Sequence, residues 1–323
     1  MRISRRARLW VGIVGLFIAA NAIAYRHAWR MTHFVSAGNR TESPDRLSVA
    51  GKIAVLISGV KIPRPEDGPV HAEFPQPARV LNFVTHDAVK LEAWDIPAES
   101  ERGVVVMFHG YAVSRSALLG EARVLHELGW RTVLVDHRGS GRSDGWETTL
   151  GWREAADVAA AVNWVRHEWP AQRLILSGQS MGAVAALRAI ATENVRPDGL
   201  IAECPFDTLL HTVGHRYHAM GLPAFPSAEL LVFWGGVQHG FNGFAHNPAE
   251  YARAVECPAL VLDGAHDLWV MPEEARRVAA AMAGPTQCHI FRVGGHGGYW
   301  RDVADEYRQV LSVWLNQKTG SGK

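Results

Sequence analysis

Little in this chain points toward metal, redox or nucleic-acid chemistry. It has three cysteines, Cys204, Cys257 and Cys288, and no C-x-x-C pair. That scarcity excludes a zinc ribbon or a disulfide framework, and it leaves room for at most one disulfide. The thiols are expected to be free and buried, as small apolar side chains. A charge bias is missing too. The formal net charge is +1 and charged residues make up 20%, so no basic or acidic field exists to hold nucleic acid or another polyion. Internal repeats and low-complexity tracts are absent. Histidine is plentiful, and His211, His215 and His218 have helical spacing. They lack the H-E-x-x-H pattern, so they are expected on a solvated or partly buried face, with no metal and no cofactor.

What the chain does have begins at its N-terminus. Arg2, Arg5, Arg6 and Arg8 precede an uncharged apolar run from Leu9 to Tyr25. Residues 1–30 read as an N-terminal membrane segment, because no polar face exists to show to water. Ala20-Asn21-Ala22 and Ala22-Ile23-Ala24 offer signal-peptidase sites, whereas Trp10, Tyr25 and Trp29 sit where interfacial aromatics anchor a spanning helix. The anchor is preferred. The arginine cluster then stays cytoplasmic, and the rest of the chain lies on the non-cytoplasmic side. Secretion after cleavage is the alternative. Residues 31–78 form a juxtamembrane segment and tether. Leu47 to Val60 is expected to be a helix lying against the membrane or the domain that follows. Pro63, Pro65, Pro69, Pro75 and Pro77 extend the chain after it.

From residue 79 to 318 strands and helices alternate. Val80–Val84 and Val89–Trp94 form an antiparallel pair. Gly103–Phe108, Arg131–Val135, Arg173–Ser177, Gly199–Ala202, Ala259–Leu262 and His289–Val293 are further strands. Ser116–Leu128, Glu154–Glu168, Pro272–Met282 and Tyr299–Leu315 are helices. This alternation predicts an α/β domain with a mainly parallel central sheet and helices on both faces. The rhythm breaks at about 204–248, where Phe206, Phe225, Phe233, Trp234, Phe241 and Phe244 mark an inserted lid.

The stretch Leu174 to Ile190 organises this domain. An apolar strand runs into Gly178-Gln179-Ser180-Met181-Gly182, and an Ala-rich helix follows. Strand, G-x-S-x-G and helix make a nucleophile elbow, in which small neighbours let strand and helix close on a strained serine. The helix N-terminus points N–H groups at charge developing above Ser180. The competing reading is a turn whose serine caps the helix.

Further motifs agree with the elbow in chain order. His109-Gly110 follows one strand and Asp136-His137-Arg138-Gly139 the next. Gly264-Ala265-His266-Asp267 and Gly295-His296 end the last two. From about residue 80 to 316 the chain resembles the α/β-hydrolase superfamily, and within it the monoacylglycerol-lipase and serine-aminopeptidase-like branch. The resemblance implies a triad of Ser180 as nucleophile, Asp267 as acid and His296 as base. It also implies an oxyanion hole made by the backbone N–H groups of Met181 and Tyr111. Asp207 and Asp263 compete for the acid's role. His289 is a rival base, but it lies inside a strand. His109 is expected to brace its loop. Residues 136–143 lack G-K-[ST] and read as a bracing turn, not a phosphate loop. The expected activity is hydrolysis of a small-molecule acyl ester, lipid-like given the upstream membrane segment. The alternatives are an amidase or peptidase, with Glu203 and Glu229 as pieces of an amine-gripping pocket, and a non-catalytic scaffold. Oligomeric state is not legible.

Overall fold

The structure, a computed structural model, describes residues 4–44, 46–69, 74 and 78–317. Arg2, Pro75, Pro77 and the expected domain end at 318 lie outside the described residues. In chain order the elements are α1 (Arg5–Thr32), α2 (Val49–Ser58), β1 (Arg79–Val84), β2 (Lys90–Ile96), β3 (Val104–Phe108), α3 (Leu119–Glu127), β4 (Arg131–Val135), α4 (Glu154–Glu168), β5 (Leu174–Gln179), α5 (Met181–Thr192) and β6 (Gly199–Glu203). There follow α6 (Leu209–Ala219), α7 (Ser227–His239), α8 (Pro248–Tyr251), β7 (Ala259–Gly264), α9 (Pro272–Ala281), β8 (Thr286–Phe291), α10 (Tyr299–Asp302) and α11 (Ala304–Gln317). They divide into two compact units, one of residues 1–63 with 209–245 and one of residues 64–208 with 246–323.

The larger unit is built on one eight-stranded sheet in the order β1-β2-β4-β3-β5-β6-β7-β8. β2 runs antiparallel to β1 and β4, and all pairs from β4 to β8 are parallel. The central strands are buried on both faces, so they read as unbroken apolar runs. Alternation still sorts their side chains. Val104, Val106, Phe108, Leu174, Leu176 and Val261 join α4, α5 and α9 in one core layer. Val105, Met107, Ile175, Leu260 and Leu262 join α3 and α11 in the other, with Tyr307, Leu311 and Trp314 from α11. Residues 64–68 have no regular structure but are stitched down. Gly141 N–H donates to Pro65 O (2.9 Å), Ser114 Oγ–H to Glu66 O (3.0 Å) and Gly68 N–H to Ser116 Oγ (3.0 Å).

Two elements depart from the expected pattern. β8 begins at Thr286 and ends at Phe291, because it pairs with β7 from Ala259↔Thr286 onward. It is an edge strand with polar, partly exposed positions, so apolarity misplaces its start. The C-terminal helix breaks at Val303, which separates α10 from α11.

The smaller unit is helical. Ser4 caps α1 by accepting from Ala7 N–H at 3.2 Å. α1 is long and apolar enough to cross a membrane or to serve as a signal sequence, and its residues from Leu9 to Ile18 stand exposed. Ala24, His27, Ala28 and Thr32 turn inward. α7 packs against that half of α1. Trp234 Nε1–H donates to Asn21 Oδ1 (3.1 Å), Gln238 Nε2–H to Tyr25 O (2.7 Å), and the Tyr25 ring meets Trp234 edge-on at 5.3 Å. Lys52 of α2 donates to Met220 O (3.1 Å) just after α6.

Candidate active site

Ser180 stands between β5 and α5 with φ 51° and ψ −113°, and it makes no side-chain cap bond. Its hydroxyl is therefore not spent on the helix, and the capping reading falls. The turn is this tight because its glycines permit it. A Cβ on Gly182 would lie 2.2 Å from Phe108 O, and one on Gly178 would lie 2.5 Å from Ala183 N. Strand, helix and the end of β3 thus meet where only hydrogen fits. Ser180 N–H donates to Glu203 O at 2.7 Å, fixing the elbow to the end of β6.

His296 and Asp267 come together. His296 Nδ1 lies 2.6 Å from Asp267 Oδ2, the carboxylate being buried and the ring partly open. Asp267 Oδ1 accepts from Trp269 N–H (2.7 Å) and Val270 N–H (3.0 Å). The loop after β7 is tied to the loop after β8 by His266 N–H to Gly294 O at 2.8 Å. The His296 loop also presses on the elbow: a Cβ on Gly297, at φ +75°, would lie 2.0 Å from Gln179 Nε2. A carboxylate at Nδ1 fixes the tautomer that leaves Nε2 free to accept a proton.

Asp207 and His289 pair elsewhere, whereas Asp263 lies buried beside Asp267. Asp207 Oδ2 accepts from Arg277 Nε–H at 2.7 Å. Asp263 is fully buried, accepts from Gly264 N–H, and is pushed up to about 8 by burial and the nearby Asp267. His289 Nε2 pairs with Glu306 at 2.9 Å. His109 braces: Nδ1–H donates to Gly110 O (2.8 Å) and Nε2 accepts from His137 N–H (3.0 Å). Burial and the neighbouring His137 hold its pKa down at about 3, so it stays neutral in that frame. Asp136 accepts from Arg115 N–H and Arg142 N–H, and Ser143 Oγ–H closes the turn on Asp136 O. Residues 136–143 are thus a braced turn.

Of the expected oxyanion donors, Met181 is the first residue of α5 and Tyr111 lies in the turn after β3. The turn beside Met181 is held by Glu154, which accepts from Thr148 Oγ1–H, Thr149 N–H, Thr149 Oγ1–H and Gly151 N–H. Thr148 also contacts Met181 Sδ at 3.3 Å.

Sequence reasoning misses one thiol and one acid pair. The cysteines are free, but only Cys204 is fully buried and Cys288 is exposed. Cys204 Sγ gathers with the Asp267 carboxylate and the His296 ring within 4.8 Å. Burial pushes its thiol well up, so it sits there neutral. Below it, Tyr307 Oη–H donates to Glu203 Oε1 at 2.5 Å, and burial pushes Glu203 up to about 7. Glu121 is buried near it and is also pushed up by burial and by Glu203. No local pattern announces any of this, because the partners lie about 60 to 100 residues apart.

Comparison with known proteins shows the family and the fold. Residues 99–224 match the Hydrolase_4 family, serine aminopeptidase, S33. The Mycobacterium tuberculosis protein Rv2307c is 30% identical over 267 residues, 77% of this chain and 88% of its own length. The chain belongs to the α/β-hydrolase superfamily. The zebrafish lysophosphatidylserine lipase ABHD12 is 24% identical to this hydrolase over 248 residues, 68% of this chain and 63% of its own. The fold is shared with the Pyrococcus furiosus esterase Pf2001, with a TM-score of 0.67, 22% identity, and 80% of this chain and 99% of that one covered.

Proposed function

We propose that this hydrolase cleaves a carboxylic ester through an acyl-enzyme. Ser180 is the nucleophile, His296 the base and Asp267 the acid that holds the imidazole. The observation that carries the reading is the 2.6 Å contact between His296 Nδ1 and a buried carboxylate, on loops that adjoin the elbow. His296 Nε2 takes the Ser180 proton as Oγ attacks the carbonyl carbon. The oxyanion rests on the N–H groups of Met181 and Tyr111, each such donor contributing ~3–4 kcal/mol to barrier lowering. The imidazolium gives its proton to the leaving alcohol. Water then attacks the acyl-enzyme by the same route, and Ser180 is regenerated.

The substrate is proposed to be an acyl ester of lipid type. ABHD12, a relative, is a lysophosphatidylserine lipase by name, and α1 supplies an apolar segment that would keep this chain at a membrane. The inserted stretch 204–248 is assigned the acyl-chain preference. α1 is read as an uncleaved anchor with the hydrolase on the non-cytoplasmic side, and secretion after cleavage is the alternative. An amine-gripping peptidase pocket is less well supported, since Glu203 is buried against Tyr307 and held toward its neutral form.

A serine-directed fluorophosphonate tests the chemistry. Wild-type protein should label and Ser180→Ala should not. Absence of labelling in folded wild type would sink the reading. A panel of p-nitrophenyl esters, monoacylglycerols and aminoacyl amides then separates esterase from amidase, and amide turnover above ester turnover reverses the assignment.

A further inference from the structure

The outward face of α2 is wrong for water. Its exposed positions are Val49, Ala50, Ile53, Ala54, Ile57 and Ser58, and Val49, Ile53 and Ile57 are 76%, 53% and 61% exposed. Those three recur at i, i+4 and i+8, a single stripe along the helix. The one charged residue of α2, Lys52, turns inward to Met220 O. Surface helices of a soluble protein show the reverse arrangement.

The position of α2 on α1 says what covers the stripe. The apolar run Leu9–Tyr25 has 17 residues, about 26 Å of helix at 1.5 Å per residue. A bilayer's hydrocarbon core is about 30 Å thick. A spanning α1 therefore has no length to spare, and its far boundary falls between Tyr25 and Trp29, both exposed aromatics. α2 ends at that level: a Cβ on Gly59 would lie 3.0 Å from Arg30 Cβ and 3.5 Å from His27 Cα. Charge agrees, since residues 26–63 carry Arg26, Arg30, Arg40, Arg46 and Lys61, besides the inward Lys52, against Glu42 and Asp45. Basic side chains at that height suit anionic headgroups.

We propose that α2 is an interfacial helix whose Val49–Ile53–Ile57 stripe lies in the headgroup–acyl boundary of an anionic bilayer leaflet, beside the exit of α1. The inference rests on the reading of α1 as an anchor. The helical unit then meets the membrane through a helix lying flat as well as through a spanning one.

Spin labels test this on the full chain in a Cys257→Ser/Cys288→Ser background, reconstituted in vesicles of phosphatidylcholine and phosphatidylglycerol. Labels at Phe17, Ile53, Ile57 and Ala191 all occupy exposed positions, so folding is not at stake. The ratio of collisions with oxygen to collisions with a water-soluble nickel chelate reports depth. At positions 53 and 57 it should be several-fold above that at 191, and it should fall when phosphatidylglycerol is omitted. Water-like ratios at 53 and 57 with a lipid-like ratio at 17 overturn the proposal and leave the anchor standing. A water-like ratio at 17 overturns the anchor, and the proposal with it.

Discussion

Ser180 and Trp234 are both held firmly, but by different means. Ser180 is held by backbone: its positive φ, its N–H on Glu203 O, and glycines pressed against Phe108 O and Ala183 N. Trp234 is held by side chains, through Asn21 and the edge of Tyr25. A backbone constraint demands small residues at fixed spacing, so it leaves a local pattern. A side-chain pair 213 residues apart demands only two compatible partners and leaves none. The first region is therefore rigid by geometry, and the second depends on a few contacts that single substitutions remove.

The sharpest way to break this comparison is at Asp267, the proposed acid. Asp267→Asn should lower kcat by about 10³–10⁴-fold through the wrong imidazole tautomer, with the melting temperature nearly kept. Asp207→Asn, which loses an ion pair with Arg277, should turn over near the wild-type rate. The assignment is wrong if ester kinetics show the two variants exchanged. Next in size is Trp234→Ala. Losing the half-buried ring and its bond to Asn21 should cost about 2–3 kcal/mol locally. Hydrogen exchange should then quicken in α7 and the second half of α1 while β3 and β5 keep their protection. Equal loss in β5 would mean that the two regions open as one.

The smallest effect concerns pH. An ordinary glutamate has a pKa of 4.5, whereas burial holds Glu203 near 7 although the Tyr307 hydroxyl pulls the other way. Between those values the folded state binds more protons than the unfolded state, so stability falls as pH rises through that window. Glu203→Gln should flatten the slope, a change on the order of 2 kcal/mol across the window. Denaturant titrations at pH 4.5 and 7 check this. An undiminished slope in the variant assigns the effect to other groups.

Much of the sheet-built unit is legible in sequence, for a physical reason. Val104–Phe108, Arg131–Val135 and Leu174–Ser177 are buried on both faces, so their apolar runs announce themselves. β8 is an edge strand that starts with Thr286 and Gln287, and its start is missed. The break at Val303 carries no proline or glycine to mark it. Ser180, His296 and Asp267 are legible as candidates, but Asp207 and Asp263 compete until three-dimensional contacts separate them. Glu121, Cys204 and Tyr307 belong to no motif, and only packing brings them beneath the site. In the helical unit, the grouping of residues 209–245 with 1–63 depends on contacts that no window of sequence contains.

The positive φ of Ser180 has an evolutionary corollary. An L-residue held in such a conformation destabilises the fold by about 1–3 kcal/mol, and glycine would sit there without strain. Ser180→Gly should therefore melt above Ser180→Ala while both lack turnover, and equal melting temperatures would show that the turn stores nothing. A lineage that kept this fold only to bind would drift toward glycine at 180. Serine at 180 is what the proposed acyl transfer requires, at a cost in stability that glycine would spare.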